Sequence, residues 1–228
     1  MRHIIFDTET TGLSFQDDRV IEVGCIETID YKPTGRIFHC YANPHKTITA
    51  KITEITGLTG KFLSNYREIS YYLSDFIDFI GDSLIVAHNS DFDRKMINAE
   101  LQRCGMDIIP EDRFIDTVQM SKEQFAGKKH NLDALCKRLK VKNTDRDVHS
   151  AVYDSFILTE VFELLSNKKK ELELQYSEEI IEHKQYYSAR QRLTPIKSQI
   201  TEQEILLHKQ FVEDNNLSQW KKIYRHER

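Results

Sequence analysis

No apolar run in these 228 residues approaches the roughly 20 needed to span a bilayer. The start, Met1-Arg2-His3-Ile4-Ile5-Phe6-Asp7, is strand-like, and its apolar run is too short for a signal peptide. Cysteine is scarce. Cys25, Cys40, Cys104 and Cys136 are scattered with no Cys-x-x-Cys pair, so neither a zinc ribbon nor a disulfide framework is indicated. A reducing, cytoplasmic setting without a membrane is the expectation. Nor is there an excess of positive charge: 32 Lys and Arg against 36 Asp and Glu give a net −4. That balance argues against a broad basic face gripping duplex DNA. Any contact with nucleic acid must be local, through metals that neutralise phosphate, or delegated to a companion subunit. What is present, 39% hydrophobic and 30% charged residues, suits one good core with an appendage, or two small domains.

The most informative stretch is residues 4–13, Ile-Ile-Phe-Asp-Thr-Glu-Thr-Thr-Gly-Leu, an apolar run ending in two carboxylates two residues apart. Alternate side chains of a strand point the same way, so Asp7 and Glu9 share one face, about 6.5–7 Å apart along the strand. Such a pair suits metal binding, one acid being able to bridge two ions about 3.5–4 Å apart. Taken alone, Asp-x-Glu also fits acids at a strand end facing water. The following Thr10-Thr11-Gly12-Leu13 sharpens the first reading, because hydroxyls and a glycine turn past a strand end are what a substrate-binding loop needs.

Up to about residue 165 the pattern is mixed α/β. Strand-like runs at 2–7, 19–29 and 36–41, separated by short turns, predict an antiparallel meander. Residues 66–80 carry helical periodicity, with Gly81 where a helix stops. Ser83 to His88 reads as a buried strand, 93–104 as an amphipathic helix with Met96, Ile97 and Leu101 on its apolar side, and 131–139 and 150–165 as further helices. A meander followed by helix–strand alternation predicts a mixed sheet flanked by helices. From residue 166 the chain turns polar and helix-prone, through Lys168-Lys169-Lys170, as a solvated helix or linker that Thr194-Pro195 breaks. Thr201-Glu202-Gln203-Glu204 then resembles a capping box opening a short helix, with Leu207 and Phe211 on one face and the only tryptophan, Trp220, beyond. So short a helix docks on its own domain or on a partner.

Two further constellations carry chemistry. Asp93 ends His88-Asn89-Ser90-Asp91-Phe92-Asp93, in the strand-to-helix turn where α/β sheets place ligands. Alone it reads as a helix cap. Asp91 competes for the role, but Phe92 facing inward would leave Asp93 at the cleft. The third is His149-Ser-Ala-Val-Tyr-Asp154. Residues i and i+5 lie about 140° apart on a helix, so these two converge only if His149 comes from the loop or first turn and Asp154 from the helix. A histidine there suits proton abstraction from water near neutral pH, though alone it also fits a surface loop. Four acids gathered at element ends would repel one another and raise each other's pKa unless cations bind them. Mg²⁺ or Mn²⁺ fits such an oxygen-rich set better than zinc does.

Together, Asp7-Thr-Glu9-Thr-Thr-Gly-Leu13, His88-Asn89-Ser-Asp-Phe-Asp93 and His149-x-Ala-x-x-Asp154 resemble the three motifs of the DEDDh (DnaQ-like) 3′→5′ exonucleases. Lys129-His-Asn-Leu-Asp-Ala-Leu-Cys136 resembles the helix before the third motif in the proofreading branch. The resemblance covers residues 1–165 and implies a ribonuclease H-like core. Asp7, Glu9, Asp93 and Asp154 would bind two Mg²⁺ or Mn²⁺ ions, His149 would be the general base, and Thr8, Thr10 and Leu13 would lie against the terminal nucleotide. Asp7, Glu9 and Asp154 would also touch substrate. Residues 196–220 are similar to the C-terminal segment of the epsilon-type subunits of bacterial DNA polymerase III, which binds the polymerase alpha subunit.

The implied organisation is an exonuclease domain at 1–165, a polar helical linker at 166–195 and a polymerase-binding segment at 196–228. Its implied function is removal of mispaired nucleotides from a single-stranded or frayed 3′ DNA end. The resemblance also raises a theta-like subunit or a sliding clamp as a partner, although Gln175-Tyr-Ser-Glu-Glu-Ile is charged where clamp binding wants apolar anchors. Two departures stand out: Thr56 precedes Gly57 where the family often has His, altering an expected substrate contact, and Ser150 follows His149 where Gly is common. An RNA-processing exonuclease and a non-catalytic polymerase-docking module remain open on the residues alone.

Overall fold

A computed structural model describes residues 1–142, 149–186 and 202–214, the stretch 170–186 as helical backbone only. Three strands open the chain, β1 (Arg2–Thr10), β2 (Val20–Ile29) and β3 (Lys32–Tyr41), followed by the short helices α1 (Ala50–Thr56) and α2 (Gly60–Leu63). A 3₁₀ turn leads into α3 (Leu73–Ile80), then β4 (Leu84–Ala87), α4 (Ser90–Arg103), β5 (Phe114–Asp116), α5 (Thr117–Gln124) and α6 (Leu132–Leu139). Two helices close the described chain, α7 (Ala151–Tyr186) and α8 (Glu202–Asp214). Packing divides the chain into units 1–177 and 178–228, with the boundary inside α7.

The first unit is built on a five-stranded sheet in the order β3-β2-β1-β4-β5. The β1–β2 and β2–β3 pairs are antiparallel, whereas β4 pairs parallel with both β1 and β5. This is the expected meander extended by parallel strands. Both faces are covered, which is why β1 reads as a continuous apolar run rather than an alternating one. Ile4 and Phe6 join a core with Phe76 and Ile80 of α3 and Met96, Ile97 and Leu101 of α4. Ile5 belongs to the opposite core, with Leu135 and Cys136 of α6 and Leu158, Val161, Phe162 and Leu165 of α7. Between Glu9 and Thr10 the β1–β2 register slips, from Glu9 opposite Glu22 to Thr10 opposite Val20. The extra residue, Ile21, packs in a third, smaller cluster with Leu58 and Leu63. Bulges of this kind re-aim side chains next to functional sites.

Several elements differ from expectation in instructive ways. The periodic segment 66–80 becomes a 3₁₀ turn at Ile69–Tyr71 before α3 begins, because both Ile69 and Leu73 are drawn into the core. Helix α4 starts at Ser90, three residues earlier than its apolar face suggests, since Asn89 in the left-handed region (φ 69°) turns the chain into it. Helix α7 runs well past residue 165, beyond Leu165, its last residue in the described core, and helix-favouring Lys, Glu, Gln and Leu continue the sequence there. The Thr194-Pro195 break, the capping role of Thr201 and Trp220 lie outside the described residues.

Buried Glu27 ties the meander together. It accepts hydrogen bonds from Arg2 Nε (2.7 Å), Thr34 Oγ1 (2.7 Å) and Arg36 Nη1 (2.8 Å). Thr34's hydroxyl, with the Arg2 and Arg36 charges, holds its carboxyl below the usual glutamate range despite burial. A carboxyl depressed in the folded state stabilises above its unfolded pKa of about 4.3 and loses that contribution as pH falls through the folded value. Glu27→Gln is therefore expected to cost about 1–3 kcal/mol at neutral pH. Thermal melts of wild type and variant should converge on acidification below about pH 4, and a gap unchanged between neutral and acidic pH would refute the charge-assisted role.

Candidate active site

Strand alternation divides the end of β1 between the two layers. Asp7 and Glu9 continue the face of Ile5, toward α7, whereas Thr8 and Thr10 continue the face of Ile4 and Phe6, toward α4. In the ladder, Asp7 lies opposite Gly24 and Glu9 opposite Glu22. Gly24 is glycine because α7 lies directly on it: a Cβ there would stand 2.3 Å from the Ala151 carbonyl carbon and 2.4 Å from the Val152 nitrogen. Ser155 Oγ adds a hydrogen bond to the Gly24 carbonyl at 3.1 Å.

This seating delivers the third motif to the first. His149 precedes the helix, its backbone N–H donating to the Ile55 carbonyl at the end of α1 (2.8 Å), while Asp154 projects from the first turn of α7. The two side chains converge as a loop-and-helix pair, with His149 Nδ1 3.4 Å from Asp154 Oδ2. One ligand atom each from Glu9, His149 and Asp154 lies within 4.8 Å of the others. Asp154 is buried and the His149 side chain is 50% exposed, so the imidazole faces both the cluster and solvent. The two carboxylates fit a hard divalent cation, which would offset their mutual repulsion, and the imidazole lies beside them.

Asp93 reaches the strand end from the other layer. It sits in the first turn of α4, buried, and its Oδ1 accepts from Thr8 N–H (3.1 Å) and Thr8 Oγ1 (2.7 Å). Burial pushes its carboxyl up to about 7, against the pull of the Thr8 hydrogen bonds and with the Asp116 charge adding to the rise. It is not part of the Glu9–His149–Asp154 group. Its competitor Asp91 lies on the surface, paired with Arg94 (2.7 Å) and Lys95 (2.6 Å) along the helix.

The expected substrate-contact residues occupy varied settings. Thr8 donates to Asp93, and Thr10 Oγ1 donates to the Gly12 carbonyl at 2.7 Å, so both hydroxyl protons are engaged. Thr56 is buried in the last turn of α1. Its hydroxyl donates to the Ile52 carbonyl (2.9 Å) and accepts from Leu58 N–H (3.1 Å), which gives it a helix-capping role. Leu13, by contrast, is 83% exposed. Its loop is closed by Thr11 N–H to the Arg19 carbonyl (2.9 Å) and braced by Asp18, which binds Thr11 Oγ1, Ser14 N–H and Lys46 Nζ. A Cβ at Gly12 would meet Asp18 Oδ2 at 2.4 Å, so a side chain there would have to displace the Asp18 carboxylate that braces the loop.

Two residues that motif reading passed over, Asp116 and Glu22, also shape the site, as does Ser150, which stands out in the sequence only as a departure from Gly. Asp116, at the end of β5, accepts from Asn89 N–H (3.0 Å) and Val118 N–H (2.8 Å), fixing the turn from which α4 and Asp93 depart. Glu22 and Ser150 meet beneath His149, with Ser150 Oγ donating to Glu22 Oε1 at 3.0 Å. Asp116 left a faint signal as an acid just ahead of a helix, whereas the Glu22–Ser150 contact, 128 positions apart, left none.

The family model described as Exonuclease (RNase_T) matches residues 4–162, and the chain belongs to this exonuclease family, whose enzymes hydrolyse phosphodiester bonds. Within it, the chain is similar to the DNA polymerase III subunit epsilon of Rickettsia conorii, 36% identical over 219 residues covering 93% of this chain and 95% of that one. It is also similar to the subunit of the same name from Haemophilus influenzae, 31% identical over 75% of this chain and 70% of the relative. Among solved structures, Exonuclease X in complex with 5′ overhanging duplex DNA aligns with a TM-score of 0.57 and 25% identity, covering 73% of this chain and 92% of that one. Escherichia coli Exonuclease I with a dT13 oligonucleotide aligns at a TM-score of 0.65 and 16% identity, over 77% of this chain and 43% of that one, a likeness of fold.

Gly24→Ala tests how the site is assembled. The added methyl must lift α7 from β2, with an expected cost of about 1–3 kcal/mol in stability. His149 and Asp154 would move with the helix, and a displacement near 1 Å can lower turnover on the order of 100-fold. Paired measurement of Tm and kcat checks this, and wild-type turnover in the variant would show that the contact does not set the site.

Proposed function

We propose that the chain is a divalent-metal-dependent 3′→5′ exonuclease that removes mispaired nucleotides from a DNA primer end, as the epsilon-type subunit of a replicative polymerase. The observation that carries this reading is the convergence of Glu9, His149 and Asp154 at the end of β1. It is supported by a similarity to the Rickettsia conorii epsilon subunit that spans 93% of the chain and so runs well beyond the exonuclease match.

In this reading Asp7, Glu9, Asp93 and Asp154 hold two Mg²⁺ or Mn²⁺ ions. When bound, such ions favour ionisation of the attacking water and stabilise the leaving oxygen of a phosphodiester. His149, held in place by its backbone bond to Ile55, takes the proton from that water and passes it to solvent through its exposed edge. Water oxygen joins phosphorus, the bond to the 3′ oxygen of the penultimate nucleotide breaks, that oxygen takes a proton from solvent to become the new 3′ hydroxyl, and a nucleoside 5′-monophosphate leaves. Exposed Leu13 offers apolar surface to the terminal nucleotide. A mispaired end enters more readily because unpairing it costs least, which supplies selectivity without base reading.

The C-terminal segment, 196–228, docks on the polymerase alpha subunit. Its described helix α8 exposes Ile205, Leu206, Leu207 and Phe211, an apolar surface suited to a hydrophobic groove. With a net charge of −4, such an enzyme is held at the primer by its partner rather than by a basic surface of its own.

The test is incubation of the protein and a His149→Ala variant with 3′-mismatched primer DNA and with single-stranded RNA, in Mg²⁺ and in EDTA. Expected is metal-dependent shortening from the 3′ end of DNA, weak on RNA, with kcat reduced about 10²–10⁴-fold in the variant. Preference for RNA would move the assignment to RNA processing, and degradation of neither would leave a docking role alone. Truncation after Tyr186, the end of α7, is expected to keep nuclease activity and abolish co-elution with the alpha subunit in size-exclusion chromatography. Retained co-elution would place the docking surface elsewhere.

A further inference from the structure

Glu22 is a buried carboxylate that the hydrolysis does not use. It is 1% exposed and lies opposite Glu9 in the β1–β2 ladder, facing the α7 layer. Packing alone would favour an apolar residue there, because a buried carboxylate must be compensated by donors. Two donors reach its Oε1: Ser150 Oγ at 3.0 Å, and His39 Nε2 at 2.8 Å from β3. The His39 ring is fixed in turn, edge-on to Tyr41 with centroids 4.7 Å apart, and Tyr41 packs against Phe62 and Tyr66. Glu22 thus joins an anchored part of the meander to the residue that directly follows His149.

The segment carrying His149 is therefore pinned on both sides of the imidazole. Its own amide binds the Ile55 carbonyl, and the hydroxyl of its neighbour binds Glu22. The imidazole is half-exposed, and these two bonds fix the segment from which it projects toward Asp154. We infer that Ser150 and Glu22 are positioning residues for hydrolysis, holding the His149 imidazole against Asp154 and Glu9. The inference rests on the reading of His149 as the proton acceptor. A glycine at position 150 could not make the link, so the device depends on this chain's serine.

The test compares wild type, Ser150→Ala, Ser150→Thr and Glu22→Gln on a 3′-mismatched primer with Mg²⁺, measuring kcat, KM and Tm for each. Ser150→Ala is expected to lower kcat about 10-fold with KM within about twofold of wild type, since orientation rather than binding is lost. Ser150→Thr, which keeps the hydroxyl, should restore kcat. Glu22→Gln keeps an acceptor for Ser150 and should fall between the two. Unchanged kcat in Ser150→Ala would overturn the inference. So would a kcat loss matched by a fall in Tm and not relieved by threonine, which marks a merely structural role. A wild-type protein without nuclease activity would instead overturn the functional reading on which the inference rests.

Discussion

The contact on which the site depends most is the seating of α7 on Gly24. A helix can approach a strand this closely only where the strand presents no Cβ, and a methyl at this position would lie 2.3 Å from the Ala151 carbonyl carbon. The approach aligns the first turn of α7 over the two carboxylates of β1. Asp154 and His149 then meet Glu9, one ligand atom of each lying within 4.8 Å of the others. Ser155 and Ser150 secure the contact with hydrogen bonds to Gly24 and Glu22 on the same strand. The tightness of this helix–sheet packing and the chemistry of the site are one feature.

The acids are distributed between two layers rather than gathered in one. Glu9 and Asp154 approach from the α7 side, while Asp93 comes from α4 and is received by Thr8 on the opposite face of β1. This lowers the repulsion that four carboxylates on a single face would suffer. Asp93 remains costly in ionised form, its carboxyl pushed up to about 7 by burial. Thr8 contributes a backbone amide and a hydroxyl to it at once, so the residue between the two β1 acids supports the acid from the other layer.

Much of this was legible in the chain. The meander, β4, the helix bearing Met96, Ile97 and Leu101, and α6 follow from apolar periodicity strong enough to act locally. The pairing of Asp7 with Glu9 follows from strand alternation, and the loop origin of His149 from the angular mismatch of i and i+5 on a helix. Helices α1, α2 and α5 were not legible because none carries an apolar stripe like that of α6: their buried residues are only Thr56, Leu63, and Thr117 with Ser121. They are held by caps from Thr49, Thr59 and Asp116 and by what they pack against. Strand β5 has three residues, and its place at the sheet edge comes from pairing with β4. Thr56, named as a substrate contact from its place beside Gly57, is buried in the last turn of α1, where its hydroxyl bonds the Ile52 carbonyl and the Leu58 amide. The Glu22–Ser150 link depends on a long-range approach that no local pattern records.

The loop that displays Leu13 has a consequence for how a DNA end is met. Asp18 fills the space above Gly12 and binds Thr11, Ser14 and Lys46, while Arg19 anchors the loop to buried Glu100 through bonds of 2.9–3.1 Å. The conformational entropy of this segment is therefore surrendered when the chain folds, not at each encounter with substrate. An exposed leucine on a floppy loop would have to be ordered anew for every nucleotide removed. On the contact proposed for Leu13, the apolar tip stands ready between turnovers, which lowers the ordering cost of each encounter with a primer end.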